Sequence, residues 1–415
     1  MTQKKYDAHS NITDFTKDGV LQYHYGYDMM NQLVSVNDRL NGKVYNYTYD
    51  AGGNLISETV TDSNGTTSNA YEYNNSNWGD VLTSYNGQNI TYDEIGNPLT
   101  YRDGMSMTWK NGRQLATLTN GDTSISYGYD SDSVRTTKTV NGVKYTYAYL
   151  NGQLLYETRG DAKFYYSYDA NGILYNVRYT LTDGDTEYSY YYTHNFRGDI
   201  VGIYNGAGEL KAHYEYDAWG NVISITDNNG NAITNPNHIG NLNPFRYRGY
   251  YYDTESGFYY LMSRYYDPVI HRFINADGYF QSGGSILDAN TFAYCGNNPV
   301  LNVDPLGTCK VPNYTSAGTY IGHTWKIKES VPGVPGFVIV ANLTVQILGT
   351  SIMLNLTSIM LNLLKIIKIQ KEIVTGHQEK TLKKGQKTGK NPAIANVMLL
   401  IPTARNIVGF LKATE

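Results

Sequence analysis

Side chains able to do acid–base chemistry are sparse at the C-terminal end of this 415-residue chain. Between residues 308 and 415 the histidines are His323 and His377, and the acids are Glu329, Glu372, Glu379 and Glu415, with no aspartate. A carboxylate-rich metal nuclease centre or a Ser-His-Asp triad therefore lacks its acid unless a glutamate serves. His323, Lys326 and Glu329 come nearest to a ribonuclease-like acid/base group, but their spacing is ordinary, and a solvated surface histidine is the commoner use. The two cysteines, Cys295 and Cys309, exclude a disulfide scaffold, and no C-x-x-C spacing offers a structural zinc site. Neither a metal nor a cofactor is expected.

The same region holds a stretch suited to a bilayer. Phe337 to Leu364 is 28 residues without a charge, longer than the roughly 18 to 20 that cross a membrane as a helix. Its second half is a tandem heptad, Ser351 to Thr357 followed by Ser358 to Leu364. Ser351, Asn355, Ser358, Asn362 and Lys365 recur at steps of 4, 3, 4 and 3, which is one helical stripe. In a membrane such a stripe would pair helices or line a polar path. Lysines 365, 368, 371, 380, 383, 384, 387 and 390 follow as a polybasic flank for anionic lipid. Three other readings stay open. The stretch also suits a soluble amphipathic helix, Val338 to Ile347 partly alternates like a strand, and the duplicated heptad suits a degenerate, recombined end. Pro392 to Lys412 reads as a further apolar helix interrupted at Pro402, so the tail is expected to be mostly α.

The rest of the chain has a different composition. The whole sequence contains 42 tyrosines, about twice an even share among twenty residue types, and only Tyr314 and Tyr320 follow Gly307. Charge breaks at the same place. Residues 308 to 415 carry 12 lysines and Arg405 against four glutamates, whereas residues 1 to 307 carry 20 basic and 33 acidic side chains. The net charge of −4 thus conceals an acidic body and a basic tail suited to phosphates or anionic lipid. The border itself, Asp304-Pro305-Leu306-Gly307, reads as a tight turn.

The body is a repeat array. Its unit is Tyr-x-Tyr-Asp, a glycine turn and a short apolar strand, recurring about every 20 residues. Tyr47-Thr48-Tyr49-Asp50-Ala51-Gly52-Gly53-Asn54-Leu55 is matched by Tyr92-Asp93-Glu94-Ile95-Gly96-Asn97-Pro98-Leu99 and by Tyr214-Glu215-Tyr216-Asp217-Ala218-Trp219-Gly220-Asn221-Val222. Degenerate copies at Tyr25, Tyr71, Tyr127, Tyr145 and Tyr166 hold nearly the same phase. Each unit predicts a strand, an Asp-x-x-Gly turn and a return strand. Aromatic cross-strand pairs stabilise such a ladder by roughly 0.2 to 1 kcal/mol each. One hairpin cannot bury its own face, so successive hairpins must stack into a long curling antiparallel sheet. A sugar- or nucleic-acid-stacking platform is the rival use of the tyrosines. Tyr6-Asp7-Ala8-His9-Ser10-Asn11-Ile12 already matches a turn, so the sequence is expected to be a piece of a longer chain with repeats upstream. Its polar first residues contain no signal peptide.

A denser motif closes the array. It runs Arg246-Tyr247-Arg248-Gly249-Tyr250-Tyr251-Tyr252-Asp253, then Ser263-Arg264-Tyr265-Tyr266-Asp267-Pro268, Arg272-Phe273-Ile274-Asn275-Ala276-Asp277, Asn297-Asn298-Pro299 and Asp304-Pro305-Leu306-Gly307. This segment resembles the Rhs-repeat-associated core. The units before it resemble the YD repeats of Rhs and wall-associated polymorphic toxins, of insecticidal toxin-complex C components and of teneurins. The resemblance covers about three quarters of the chain.

It implies a mainly β fold in which YD hairpins spiral into part of a hollow shell, plugged by the core. The expected domains are a shell segment over 1–245, the core over 246–307 and a variable basic cargo over 308–415. The implied function is the C-terminal part of a polymorphic toxin of interbacterial competition, secreted or displayed as part of a longer chain. Its shell would enclose its own C-terminal effector, here read as membrane-active, with an immunity protein and a target membrane or nucleic acid as further partners. A nuclease cargo and a non-toxic, carbohydrate-binding adhesion protein are the alternatives. The resemblance also implies aspartyl self-cleavage by Asp277 and Asp304, supported by Arg264 and Arg272, at Thr308-Cys309. The sequence departs from the family's pattern in two places: Asp277 precedes Gly278 rather than proline, and Thr308 stands where an apolar residue is usual. The alternative is that both aspartates only open turns, while the arginines bridge to Asp253 or Asp267.

Overall fold

The computed structural model describes residues 1–182, 186–278 and 286–308, and beyond these the strand backbones 311–312, 325–330, 338–343, 345–348 and 351–354. The chain forms two compact units, Met1–His323 and Thr324–Glu415. In the first, among the described residues, antiparallel strands pair strictly in chain order. Nine form one sheet from Thr2–Tyr6 to Gln88–Asn89, and fourteen form a second from Thr91–Tyr92 to Val222–Thr226. This is the stacked-hairpin array that the repeats require.

One unit shows why the motif is written as it is. In the hairpin of Val20–Tyr27 with Leu33–Asp38, Tyr25 faces Val36, and a bulge after Gly26 brings Tyr27 opposite Leu33. The same bulge precedes Tyr49, Tyr129, Tyr168 and Tyr216. An extra residue twists the strand and re-aims the side chain. The second tyrosine consequently reaches the preceding repeat. Tyr27 donates its hydroxyl hydrogen bond to the Ile12 carbonyl at 2.8 Å, Tyr49 to Leu33 at 2.8 Å, Tyr73 to Leu55 at 3.0 Å and Tyr216 to Ile200 at 2.7 Å. Phenylalanine would fill the space but leave that carbonyl without the bond. The aspartate shapes the turn. Asp50 Oδ1 accepts from the amides of Gly52 and Asn54, and Oδ2 accepts from Asn54 Nδ2 at 3.0 Å.

The described residues of 246–307 belong to this first unit. Tyr251–Asp253, Phe258–Tyr260, Tyr265–Asp267 and Arg272–Phe273 make a four-stranded sheet. Tyr247, Tyr259, Tyr266 and Tyr294 within the segment are fully buried. Buried charge pairs fasten it to the hairpins. Arg102 grips Asp267 at 2.7 and 3.0 Å, Arg135 and Lys138 hold Asp253, and His271 meets Glu58 at 3.1 Å. Asparagines do the rest. Nδ2 of Asn290 donates to Asn54, that of Asn297 to Gln32 and that of Asn298 to Asn11, at 2.8, 2.8 and 2.9 Å. Three core side chains thus contact three consecutive YD turns.

The described part of the second unit is also β. Trp325–Ser330 pairs with Val338–Leu343, and Val345–Leu348 pairs with Ser351–Leu354. The helix predicted from the Ser/Asn spacing is therefore corrected over Ser351–Leu354, which is a strand. The β-branched run Val338-Ile339-Val340 and the Gly349-Thr350 dipeptide favour hairpins over a helix here. Asn355, Ser358, Asn362 and Lys365 lie outside the described residues. Among the described residues, no helix is long and apolar enough to cross a membrane.

Candidate functional site

The site is built on a strained turn. Between Phe258–Tyr260 and Tyr265–Asp267 the chain reverses around Met262, whose φ of +61° is a left-handed value for a side-chain-bearing residue. The Ser263 amide donates to the Leu261 carbonyl at 2.6 Å and the Leu261 amide to the Arg264 carbonyl at 2.9 Å. Backbone strain of this kind costs on the order of 1–3 kcal/mol and persists where the surroundings enforce it. Here it presents Ser263 and Arg264 to the border turn.

Arg264 is 6% exposed and lies over the Phe273 ring at 3.5 Å. Its Nη2 is 3.1 Å from Asp277 Oδ2 and 3.6 Å from Asp304 Oδ2. Nη1 donates to the Thr291 carbonyl at 2.8 Å, and Nε donates to the Gly307 carbonyl. Asp304 Oδ1 accepts from the Thr308 amide at 3.0 Å, and the Asp304 amide donates to the Tyr250 hydroxyl at 3.1 Å. Burial first, then the neighbouring charges of Cys295 and Asp304, pushes the Tyr250 phenol well above its ordinary value, so it stays protonated. Gly307 has a φ of +69°, and a Cβ there would stand 2.8 Å from the Leu261 carbonyl oxygen and 2.9 Å from Ser263 Oγ. Only glycine fits the border.

The structure thus brings together Asp277, Asp304, Arg264 and Thr308. Arg272 lies elsewhere. It donates to the Tyr73 hydroxyl at 2.6 Å and the Asp80 carbonyl at 2.5 Å, with its guanidinium over Phe292 and Tyr73. Asp253 and Asp267 are held by Arg135, Lys138 and Arg102. Cys309 lies outside the described residues. Sequence reasoning missed Ser263, Tyr250 and Arg113, whose Nη1 donates to the carbonyls of Ile95 and Ala276 beside Asp277. Ser263 had one signal, its place next to Arg264 in the dense motif. Nothing in the sequence marks Arg113, 163 residues from Ala276.

The chain is similar to several known proteins. The tRNA nuclease WapA of Bacillus subtilis strain 168 is 37% identical over 297 residues, covering 68% of this chain and 12% of WapA. The tRNA3(Ser)-specific nuclease WapA of Bacillus spizizenii is 38% identical over 290 residues, again 68% of this chain and 12% of the relative. The chain therefore spans about an eighth of the length of these relatives. The double-stranded DNA deaminase toxin A of Burkholderia cenocepacia is 27% identical over 365 residues, 80% of this chain and 23% of that protein. Among solved structures, a TcdB2-TccC3-TEV crystal structure superposes with a TM-score of 0.57 at 19% identity, covering 74% of this chain and 17% of the other, which shows the shared fold. The Teneurin YD-shell family matches residues 2–300. With hairpins paired in chain order, tyrosines that clasp the preceding repeat and this match over nearly all of its first unit, the chain belongs to the Teneurin YD-shell family.

Proposed function

We propose that this chain is the shell and core of an Rhs/YD-repeat polymorphic toxin, carrying residues 308–415 as its effector and freeing them by self-cleavage at the border. The observation that carries the reading is Arg264, whose one nitrogen faces both Asp277 and Asp304 while its Nε binds the border carbonyl. Two carboxylates sharing a site divide their roles, one staying protonated as acid while the other activates water. On this reading residues 1–245 form the shell segment, 246–307 the core and 308–415 the cargo. The complete protein works outside the producing cell, with an immunity protein protecting its maker. Mass spectrometry of the purified chain is expected to show a separate tail fragment, and Asp304→Asn or Asp277→Asn to leave the chain intact. Equal cleavage in both variants would reject the carboxylate pair.

Two effector targets suit the basic tail. Anionic lipid is supported by the apolar stretch and the lysines after it. Nucleic acid is supported by the relatives named as nucleases, although the family match ends at residue 300, before the tail begins. Expression of the chain in a bacterium is expected to arrest growth. Loss of membrane potential with intact RNA would assign the first target, and degraded tRNA with a normal potential the second. Normal growth would overturn the effector reading.

A further inference from the structure

We propose that the bond cut at the border is Gly307–Thr308, one residue before the bond that the family resemblance implies, with Ser263 as a catalytic residue that polarises its carbonyl. The inference rests on the self-cleavage reading above and specifies where that chemistry acts.

A peptide bond breaks when three things meet it: donors on the carbonyl oxygen, an acid at the leaving nitrogen and a base for the attacking water. The carbonyl of Gly307 has the donors. Ser263 Oγ lies 2.9 Å from it, and Arg264 Nε donates to it from a guanidinium buried against Phe273. A charged donor in a water-poor site is worth far more to a developing oxyanion than the same donor in water. Ser263 Oγ also lies 2.6 Å from the Leu306 carbonyl, and its single proton serves one oxygen at a time. The Ser263 amide also faces Leu306, at 3.3 Å, which frees the hydroxyl for Gly307 as negative charge builds there.

The leaving nitrogen is also met. The Thr308 amide donates to Asp304 Oδ1 at 3.0 Å, which puts that carboxyl, 3% exposed, within reach of the leaving nitrogen once the carbonyl has been attacked. This nitrogen belongs to the Gly307–Thr308 bond, and the next amide along belongs to Cys309. Asp277 shares the Arg264 guanidinium and has an arginine, Arg113, beside it on the Ala276 carbonyl. Both carboxylates face Arg264, and the second arginine beside Asp277 is what distinguishes the two, so Asp277 takes the part of the base and Asp304 that of the acid. Glycine completes the arrangement, since only a residue without a side chain fits where Leu261 and Ser263 close around its Cα.

The step balances as hydrolysis. Water oxygen bonds to the Gly307 carbonyl carbon as its proton passes to the Asp277 carboxylate, and the oxyanion rests between Ser263 Oγ and Arg264 Nε. The carbon–nitrogen bond then breaks, with the Asp304 carboxyl proton going to Thr308 N. A Gly307 carboxyl and a Thr308 amine result, and proton return from Asp277 to Asp304 through solvent restores the pair.

The test is the first residue of the released tail, read by mass spectrometry and terminal sequencing of the full purified chain. Thr308 is expected. A fragment beginning at Cys309 overturns the bond assignment and leaves the self-cleavage reading standing; an intact chain overturns both. Ser263→Ala should slow release by about 10²-fold or more, and Ser263→Thr, which keeps the hydroxyl, should restore most of it. Ser263 is exposed, so both variants should keep the parental melting temperature. Unchanged release in Ser263→Ala would remove Ser263 from the reaction.

Discussion

Replacing Arg135 by alanine is expected to lower the unfolding free energy by about 3–5 kcal/mol, the cost of breaking a buried ion pair from one side. Arg135 and Asp253 are both fully buried and bonded to each other. Burial alone would raise the Asp253 carboxyl, but the charges of Arg135 and Lys138 outweigh it and hold that group below its ordinary value. The guanidinium carbon lies 4.3 to 5.8 Å from the ring centres of Tyr127, Tyr147, Tyr251, Tyr260 and Tyr265, which exclude the water that would otherwise hydrate the orphaned carboxylate. Lys138 remains 2.9 Å from Asp253 and keeps the loss toward the lower end of the range. Urea unfolding of Arg135→Ala, and of Arg135→Ala with Asp253→Ala, measures it. The double variant should recover part of the loss, because the buried carboxylate that has lost its arginine is then gone as well, while Lys138 keeps Glu255 at 2.9 Å. A single-variant loss under about 1 kcal/mol would mean that the tyrosine cage, and not the ion pair, holds the core to the sheet.

The second large effect is on pH. His271 is 3.1 Å from Glu58, stacks on Trp219 with ring centres 4.8 Å apart and meets the Tyr47 ring edge-on. Burial would lower the histidine, but the charge and hydrogen bond of Glu58, followed by the charge of Asp217, raise it above its ordinary 6.5. Glu58 is the mirror case: burial would raise it, while His271 and then Asn69 bring it below 4.5. A raised histidine gives stability that is complete below about 6.5 and is lost as pH rises through the folded value. A lowered glutamate gives stability that is complete above about 4.5 and is lost as pH falls through the folded value. Asp217, raised chiefly by burial, loses its contribution as pH climbs from its ordinary 3.8 through its folded value, so the window is that of the His271–Glu58 pair. The first unit should therefore be most stable between roughly pH 4.5 and 6.5. In Glu58→Gln the fall above that window should flatten, with a loss of roughly 3–5 kcal/mol inside it. Melting temperatures from pH 4 to 9 would show this, and parallel curves for the two proteins would sink the idea.

What could be seen in the sequence follows the range of the interaction. Strand, turn and return strand are local, and Tyr47 to Leu55 displays all three within nine residues. The reach of Tyr49 to the Leu33 carbonyl, 16 residues back, depends on a bulge that no periodicity announces. The core was recognisable by its motif, yet the partners of Asn290, Asn297 and Asn298 lie 236, 265 and 287 residues away, and asparagine types carry no address. Of the arginines implied to support cleavage, Arg264 meets both aspartates, whereas Arg272 is turned to Tyr73 and Asp80; the first sits in the turn before Tyr265–Asp267 and the second in the strand Arg272–Phe273. In the tail, a spacing of 4 and 3 suggested a helix over Ser351–Leu354, where β-branched neighbours and a Gly-Thr dipeptide make a hairpin.

The asparagine contacts also set a clock. Asn54 exists long before Asn290, and at ribosomal rates of about 5–20 residues per second the 236 residues between them take roughly 12 to 50 s to add. For that interval the early YD turns stand finished but unoccupied. The three fastening residues then arrive within seconds of one another, just ahead of the border, so the core can close onto these turns only after the whole hairpin array has been made.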